Sequence, residues 1–527
     1  MCALKMRKTL FLWAAPMLFM SVHAQHKDAE VEKIDLTEGL KYNIELQGSF
    51  SNEKTPLWLN ANKYGLSSLD KTNGYVRTAV GRPLETDADR KWGIGYGVDI
   101  AVPVNYTSNV ILQQAFVEAR WLKGVLSVGS KEQPLNMKSQ LLSSGSLALG
   151  KNARPVPEVR LALPEYWRLP FGNGWFHLRG HIAYGKMTDQ NWQHDFTGKI
   201  SRYADGVMYH SKSGFLMFGN QDSFFPFSVE LGLEMAAQYG GTSYLPQGDG
   251  TMRELQGKGG LRGMWDAFLP GGSEADETAY KNVSGNQLGS WMMRLNWDED
   301  MWRFSVYADK FFEDHSGMFN LDYDGYGTGD EWDVRKKHRY LFYDLKDWML
   351  GAELYFKYDR WINNVVFEYI YTKYQSGPIY HDHTPSMPDH IGGMDNFYNH
   401  HVYTGWQHWG QVMGNPLFRS PIYNEDGEII VKNNRFTAFH LGISGHPNDQ
   451  FNYRALATYQ EGLGTYALPY TKRRHNVSFM LEGTYNFTVK SLRGFSVTGA
   501  YAMDFGSIFG HNAGFQLTLA RTGLFKK

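Results

Sequence analysis

The amino-acid sequence predicts an all-β protein, a transmembrane antiparallel barrel of the outer membrane. Three observations predict it: one unusually long alternating stretch, a secretory leader, and alternation that recurs along nearly the whole chain. The stretch is Trp92 to Tyr106, Trp-Gly-Ile-Gly-Tyr-Gly-Val-Asp-Ile-Ala-Val-Pro-Val-Asn-Tyr. Its even positions are all apolar or aromatic, and its odd positions are Gly, Ala, Pro, Asp or Asn. Strand side chains alternate faces with a period of two, so one face is greasy and the other small or polar. At about 3.3 Å per residue and a tilt of about 40°, the stretch covers roughly 35 Å along a barrel axis, enough to cross an apolar band about 25 Å tall. Trp92 and Tyr106 would then set an aromatic ring at each membrane–water interface.

The leader is read from Lys5, Arg7 and Lys8 ahead of the apolar run Leu10 to Met20, with Val22-His23-Ala24 offering small residues before a cut at Gln25. That is the pattern of a signal peptide over residues 1–24. No later segment reaches 18 consecutive apolar residues, so no helical anchor is expected. The one cysteine, Cys2, lies in the leader, and the mature chain is expected to lack disulfides, a thiol nucleophile and thiolate metal sites.

Composition agrees with a barrel. The mean hydropathy is mildly negative, but an alternating barrel averages its lipid face against its lumen face and hides its membrane character. With 53 basic against 54 acidic residues, there is no general pull toward nucleic acid.

Residues 25–41 are charged and aperiodic, and read as a periplasmic N-terminal segment; residues 42–527 read as the barrel with inserted loops. Alternation is clean from Phe176 to Tyr184 and cleaner from Phe227 to Tyr239, where Glu230 and Glu234 share the polar face and call for a wet lumen. It recurs in Trp291–Trp297, Trp302–Ala308, Leu350–Tyr358, Trp361–Tyr371, Phe439–Ile443, Tyr453–Tyr459, Val477–Phe487, Phe495–Tyr501 and Phe515–Leu519. Sandwich strands also alternate, but they are shorter and end in turn residues, not in outward aromatics. Phe515 to Phe525 reads as the strand that closes the barrel. Four long segments do not alternate: 133–166, 240–289 (with a short helical face over Leu261–Leu269), 315–347 and 375–431. Loops of such length are usually functional or fold inward.

Motifs that carry catalysis are absent: there is no His-Glu-x-x-His, Gly-x-Ser-x-Gly or P-loop,. Gly93, Gly95 and Gly97 follow the strand period and thin the lumen face; they are no dinucleotide fingerprint. Nothing singles out a nucleophile–base pair, so no enzymatic activity and no cofactor are expected. The acidic run Asp322 to Asp333 misses the spacing of an EF-hand loop. The histidines His381, His383, His390, His400, His401 and His408 gather in one loop rich in His generally, and no metal site is assigned to them.

The run Leu142-Ser-Ser-Gly-Ser-Leu147, then Asn152-Ala-Arg-Pro-Val-Pro157 and Pro164-Glu-Tyr-Trp167, resembles the Wzi-like capsule-assembly family of outer-membrane proteins. The stretch Tyr403-Thr-Gly-Trp-Gln-His-Trp-Gly-Gln-Val-Met-Gly-Asn-Pro-Leu417, with Asn434-Arg435-Phe436 following, is similar to that family's late loop and next strand. The resemblance covers the chain from about Tyr42 onward. It implies an eighteen-stranded barrel with segments that obstruct the pore, and a lectin-like role in holding exported capsular polysaccharide at the cell surface.

Sugar recognition needs flat apolar faces beside groups that bond hydroxyls. Trp332, Tyr403, Trp406, Gln407, His408, Trp409 and Asn415 offer that mixture and are the candidate polysaccharide-binding residues. Lumen-facing Arg179, Glu230, Glu234 and Arg294 would contact a charged glycan or bond one another. The expected partners are surface polysaccharide, outer-membrane lipid and the barrel-assembly machinery, with no nucleic acid. A monomer is expected, since no lipid-facing polar seam is visible. The runner-up reading is an outer-membrane pore for sugars or other small solutes.

Overall fold

The computed structural model describes residues 34–220, 222–269, 285–313, 320–322, 329–331, 334, 339–341, 346–381 and 390–525. Residues 41–524 form a closed antiparallel barrel of 18 strands. In chain order these are β1 (Lys41–Ser51), β2 (Thr72–Arg82), β3 (Trp92–Val104), β4 (Ile111–Trp121), β5 (Gly124–Ser130), β6 (Glu158–Arg168), β7 (Phe176–Lys186), β8 (Met208–Phe218) and β9 (Phe227–Tyr239). The second half comprises β10 (Asn286–Asp298), β11 (Trp302–Glu313), β12 (Trp348–Phe356), β13 (Asn364–Tyr371), β14 (Phe436–Gly445), β15 (Phe451–Gly464), β16 (Pro469–Asn486), β17 (Phe495–Gly506) and β18 (Asn512–Leu524). Each strand pairs with the next, and β18 closes on β1 with Lys41 opposite Leu524 and Phe50 opposite Phe515.

The period-two pattern decides which face meets lipid. On β3, Trp92, Val98, Ile100, Val102 and Val104 point outward, while Gly93, Gly95, Gly97, Asp99 and Ala101 are buried inward. Tyr106 departs from the expectation. Asn105 adopts a left-handed φ of 61° and turns the chain at the end of β3, so Tyr106 packs inward against the cluster of Leu66 and Tyr75. β6 was expected to be loop and is a strand. Pro164 cannot donate to a ladder, and between Leu163 and Trp167 the register against β7 shifts, which breaks the alternation that would have marked it.

One rim carries short turns, such as 122–123, 299–301 and 446–450; the other carries the long connections 52–71, 131–157, 187–207, 240–285, 314–347 and 372–435. Short periplasmic turns and long extracellular loops are the habit of outer-membrane barrels, which orients the molecule. With an apolar exterior ringed at its periplasmic end by Trp92, Trp121, Phe176, Phe218 and Trp297, the barrel is an outer-membrane protein. Its largest apolar cluster lies inside the barrel, where Leu57, Trp58, Leu147, Phe311, Tyr398, Trp406 and Phe418 meet.

Two short helices lie in loops: α1 (Leu57–Asn60), fully buried, and α2 (Trp192–Thr197). A third, α3 (Gly260–Phe268), matches the helical face expected over Leu261–Leu269. It lies on the outer wall, over the extracellular ends of β7 to β10. The Tyr184 hydroxyl donates to the Met264 carbonyl at 3.1 Å and Gln287 to that of Asp266 at 3.1 Å, while Ala267 packs on Ala237 and Tyr239. Away from the wall, Leu261 is 85% and Trp265 60% exposed. An apolar stripe at the extracellular end of the wall is suited to the headgroup zone of an outer leaflet. Changing Leu261 and Trp265 together to serine is expected to make α3 susceptible to protease in lipid nanodiscs while leaving the barrel's Tm nearly unchanged. Identical cleavage of variant and parent would place the stripe in water.

Candidate functional site

Three chain segments enter the barrel from the extracellular rim and fill its upper lumen. The first carries α1: the Leu57 amide donates to the Asp504 carboxylate at 3.0 Å and the Trp58 indole to the Thr458 hydroxyl at 3.1 Å. In the second, Ser143 donates to Glu368 at 2.6 Å, and the Ser144 amide reaches the other oxygen of the same carboxylate at 2.8 Å. Tyr307 donates to Glu368 as well, at 2.6 Å. The Lys138 ammonium meets the Asp309 carboxylate at 2.8 Å with both side chains fully buried. In the third, Tyr398 stacks on Phe418 at 4.0 Å between ring centres. Buried polar groups this deep stand only if bonded, and these segments bond chiefly to carboxylates on the lumen faces of the strands.

The candidate glycan residues belong largely to this plug. Trp406 is 0% exposed and donates to the Ala148 carbonyl at 2.9 Å. Asn415 is buried, donates to the Ser144 hydroxyl and the Gly145 carbonyl, and accepts from the Leu417 amide. Tyr403 donates to the Gly240 carbonyl at 3.2 Å. Gln407 donates to the Thr404 hydroxyl and accepts from the Gly410 amide, and Trp409 lies under the Arg154 guanidinium at 4.1 Å. All are buried, so in this closed barrel they tie the inserted segments and loops to one another and offer no ring face to a ligand. Trp332 lies outside the described residues. A cavity of about 30 Å³ borders Tyr403, Gln407, His408 and Trp409, room for a water and not for a sugar.

His408 is fixed by its two backbone partners. Nδ1 donates to the Arg154 carbonyl at 2.8 Å and Nε2 accepts from the Thr188 amide at 3.2 Å, which requires the neutral ring. Burial pushes its pKa down to about 4, below the ordinary value near 6.5. Between these values the unfolded chain binds a proton that the folded one refuses. Stability is therefore full above about pH 6.5 and is lost as pH falls toward 4, by on the order of 3 kcal/mol. Thermal melts at pH 7.5 and 4.5 should show a drop in Tm, and His408→Gln should flatten that difference; an equal drop in the variant would assign it to other groups.

His400 is equally occupied, its Nδ1 accepting from the Val402 and Tyr403 amides. Among the described residues no group of three His, Cys, Asp or Glu side chains is placed to hold a metal. Residues 323–328 of the acidic run, its final Asp333, and His383 lie outside the described residues.

Below the plug, on the periplasmic side, the lumen opens into a vestibule of about 1090 Å³. Here the other lumen charges are placed. Arg294 pairs with Glu353 at 2.7 Å, and Glu230 accepts from the Tyr166 hydroxyl at 2.6 Å and the Asn296 amide at 3.0 Å. The Arg179 guanidinium sits between the rings of Tyr166 and Phe215, at 4.8 and 4.4 Å. The four lumen charges expected to bond one another are thus each bonded to other barrel or plug residues, Arg179 also donating to Asn136 at 2.7 Å. Glu234 was expected in a wet lumen; it is instead 0% exposed, capped by the plug's Asn136 at 2.6 Å. The residues that sequence reasoning missed are Glu368, Asp309 and Lys138, whose partners stand far away along the chain.

No family model matches the chain, and no curated protein matches it. Among solved structures it is similar to Wzi of Escherichia coli, described as an outer-membrane protein involved in group 1 capsule assembly and a carbohydrate-binding β-barrel. The TM-score is 0.53 at 12% identity, over 92% of this chain and 85% of Wzi, a likeness of fold. OprD of Pseudomonas aeruginosa superposes with a TM-score of 0.42 at 8% identity over 94% of this chain and 98% of OprD. OccK3 of the same organism gives 0.43 at 11% over 93% and 97%. Neither reaches the level at which a shared detailed fold is read.

Proposed function

We propose that this barrel is a lectin-like protein of the Wzi-like capsule-assembly type, which binds exported surface polysaccharide and promotes its assembly or retention at the cell surface. The observation that carries this reading is the plug. A solute pore needs a continuous wet path, whereas three inserted segments here bond across the lumen, the first to Asp504, the second to Glu368 and Asp309, and the third, through the Tyr398 amide, to Glu313. That disfavours the alternative, a pore for sugars or other small solutes. The likeness of fold to a carbohydrate-binding β-barrel supports the ligand class. The binding is non-catalytic: the glycan is released unaltered, and the protein acts as a monomer held in outer-membrane lipid.

Conductance in planar bilayers, paired with a glycan-retardation gel, tests this. The expected result is no steady current, with retardation in a gel containing surface polysaccharide from the source strain. Steady open-channel current without glycan binding would overturn the lectin reading and favour the pore.

A further inference from the structure

We infer that the extracellular rim over β13 to β16 is a cationic ledge that grips an anionic polysaccharide, one bearing carboxylate or phosphate groups. This rests on the lectin reading and adds to it a ligand chemistry and a place.

The ledge is built from cation–tyrosine pairs at the ends of adjacent strands. Lys346 stands 4.0 Å over the ring of Tyr374, which follows β13. Arg435, just before β14, lies 3.6 Å over Tyr466 in the turn from β15 to β16. Arg474 lies 4.1 Å over Tyr470, both on the outermost part of β16. The first two pairs are tied together: the Tyr466 hydroxyl donates to the Tyr374 carbonyl at 2.8 Å, and Arg435 Nε donates to the Lys373 carbonyl at 3.0 Å. At about 4.8 Å per strand, the row spans on the order of 15 Å, a length suited to a polymer more than to a single small anion.

Among the described residues at the extracellular ends of β15 and β16, basic side chains outnumber acidic ones. Lys472, Arg473 and Arg474 are exposed in succession where β16, the longest strand, runs past its neighbours. Among the described residues, Glu461 is the carboxylate within ion-pair reach of this run. It is taken by Lys373 at 2.6 Å and reaches Arg473 only at 3.6 Å. Asp347 is turned away, accepting from the Tyr374 and Gln375 amides at 3.0 and 2.7 Å. Lys472 and the terminal amino groups of Arg435 have no protein partner among the described residues. The Arg435 guanidinium, laid flat on Tyr466, keeps its terminal N–H edge free for the two oxygens of a carboxylate or phosphate, while Arg474 gives one terminal nitrogen to the Ser507 carbonyl at 3.4 Å,. The stacking holds that edge in place, so little side-chain freedom is lost when an anion arrives.

The test uses purified protein in lipid nanodiscs and surface polysaccharide extracted from the source strain. Three forms of the polymer are compared: native, carboxyl-reduced, and dephosphorylated with hydrofluoric acid. Removing the anionic group is expected to abolish binding, and the form that fails identifies it as carboxylate or phosphate. Raising NaCl from 50 to 500 mM should weaken native binding on the order of tenfold or more, as screening demands. The double variant Arg435→Gln, Arg474→Gln should weaken it on the order of tenfold. Lys472→Gln, at an exposed side chain that touches nothing the fold depends on, should weaken it by a smaller factor without altering Tm. Equal binding of native and both treated polymers, or unchanged binding by all the variants, would overturn the ledge and leave the lectin reading standing. Failure of the native polymer to bind at all would take down that reading and the ledge with it.

Discussion

Glu368→Ala is expected to open the barrel. The carboxylate is completely buried on the lumen face of β13, and it accepts from Ser143, from the Ser144 amide and hydroxyl, and from Tyr307. Alanine leaves those donors without an acceptor, and each orphaned donor costs about 1–3 kcal/mol where no water reaches it. The second plug segment is then better off in solvent than in the lumen. In planar bilayers the variant should show conductance steps absent from the parent, with a lower Tm. Glu368→Gln keeps an acceptor oxygen and should fall between the two. A silent, equally stable Glu368→Ala would show that this segment is held elsewhere.

The second large effect is expected at Lys138. Methionine there removes the ammonium from a fully buried ion pair and leaves Asp309 charged in a site closed to solvent. Stranding one partner of such a pair costs about 3–5 kcal/mol. Adding Asp309→Asn should recover most of the loss. The amide oxygen can still accept from the Leu147 amide, which bonds Asp309 at 3.2 Å, and no charge remains to be compensated. Denaturant melts of the two single variants and the double would give the coupling; purely additive losses would mean the two groups do not hold each other.

How legible this molecule was depends on whether the information is local. β3 and β9 could be read because lipid on one side and lumen on the other impose the same choice at every second residue. β6 was lost where Pro164 and the displaced register interrupted that rule. The plug was legible as a set of long segments without alternation, but not as a plug, because a buried loop core and a sugar platform draw on the same residues. Trp406, Gln407 and Asn415 have rings and amides to satisfy in either setting. Their partners, Ala148, Thr404 and Ser144, are what separate the two, and two of these come from another loop. Glu368 and Asp309 likewise look like any lumen-facing carboxylates until the segment around Lys138 to Leu147 is folded against them.

The seam between β1 and β18 bears on how the protein reaches its native state. It pairs residues separated by nearly the whole chain, and the first plug segment similarly waits for Thr458 and Asp504. Contacts of such high order form late, after loop-closure entropy has been met. Until they form, the nascent sheet has two unpaired edges, each a template for mispairing with another chain. Refolding should therefore be slow and increasingly error-prone at high protein concentration, with closure of this one seam as its committing step.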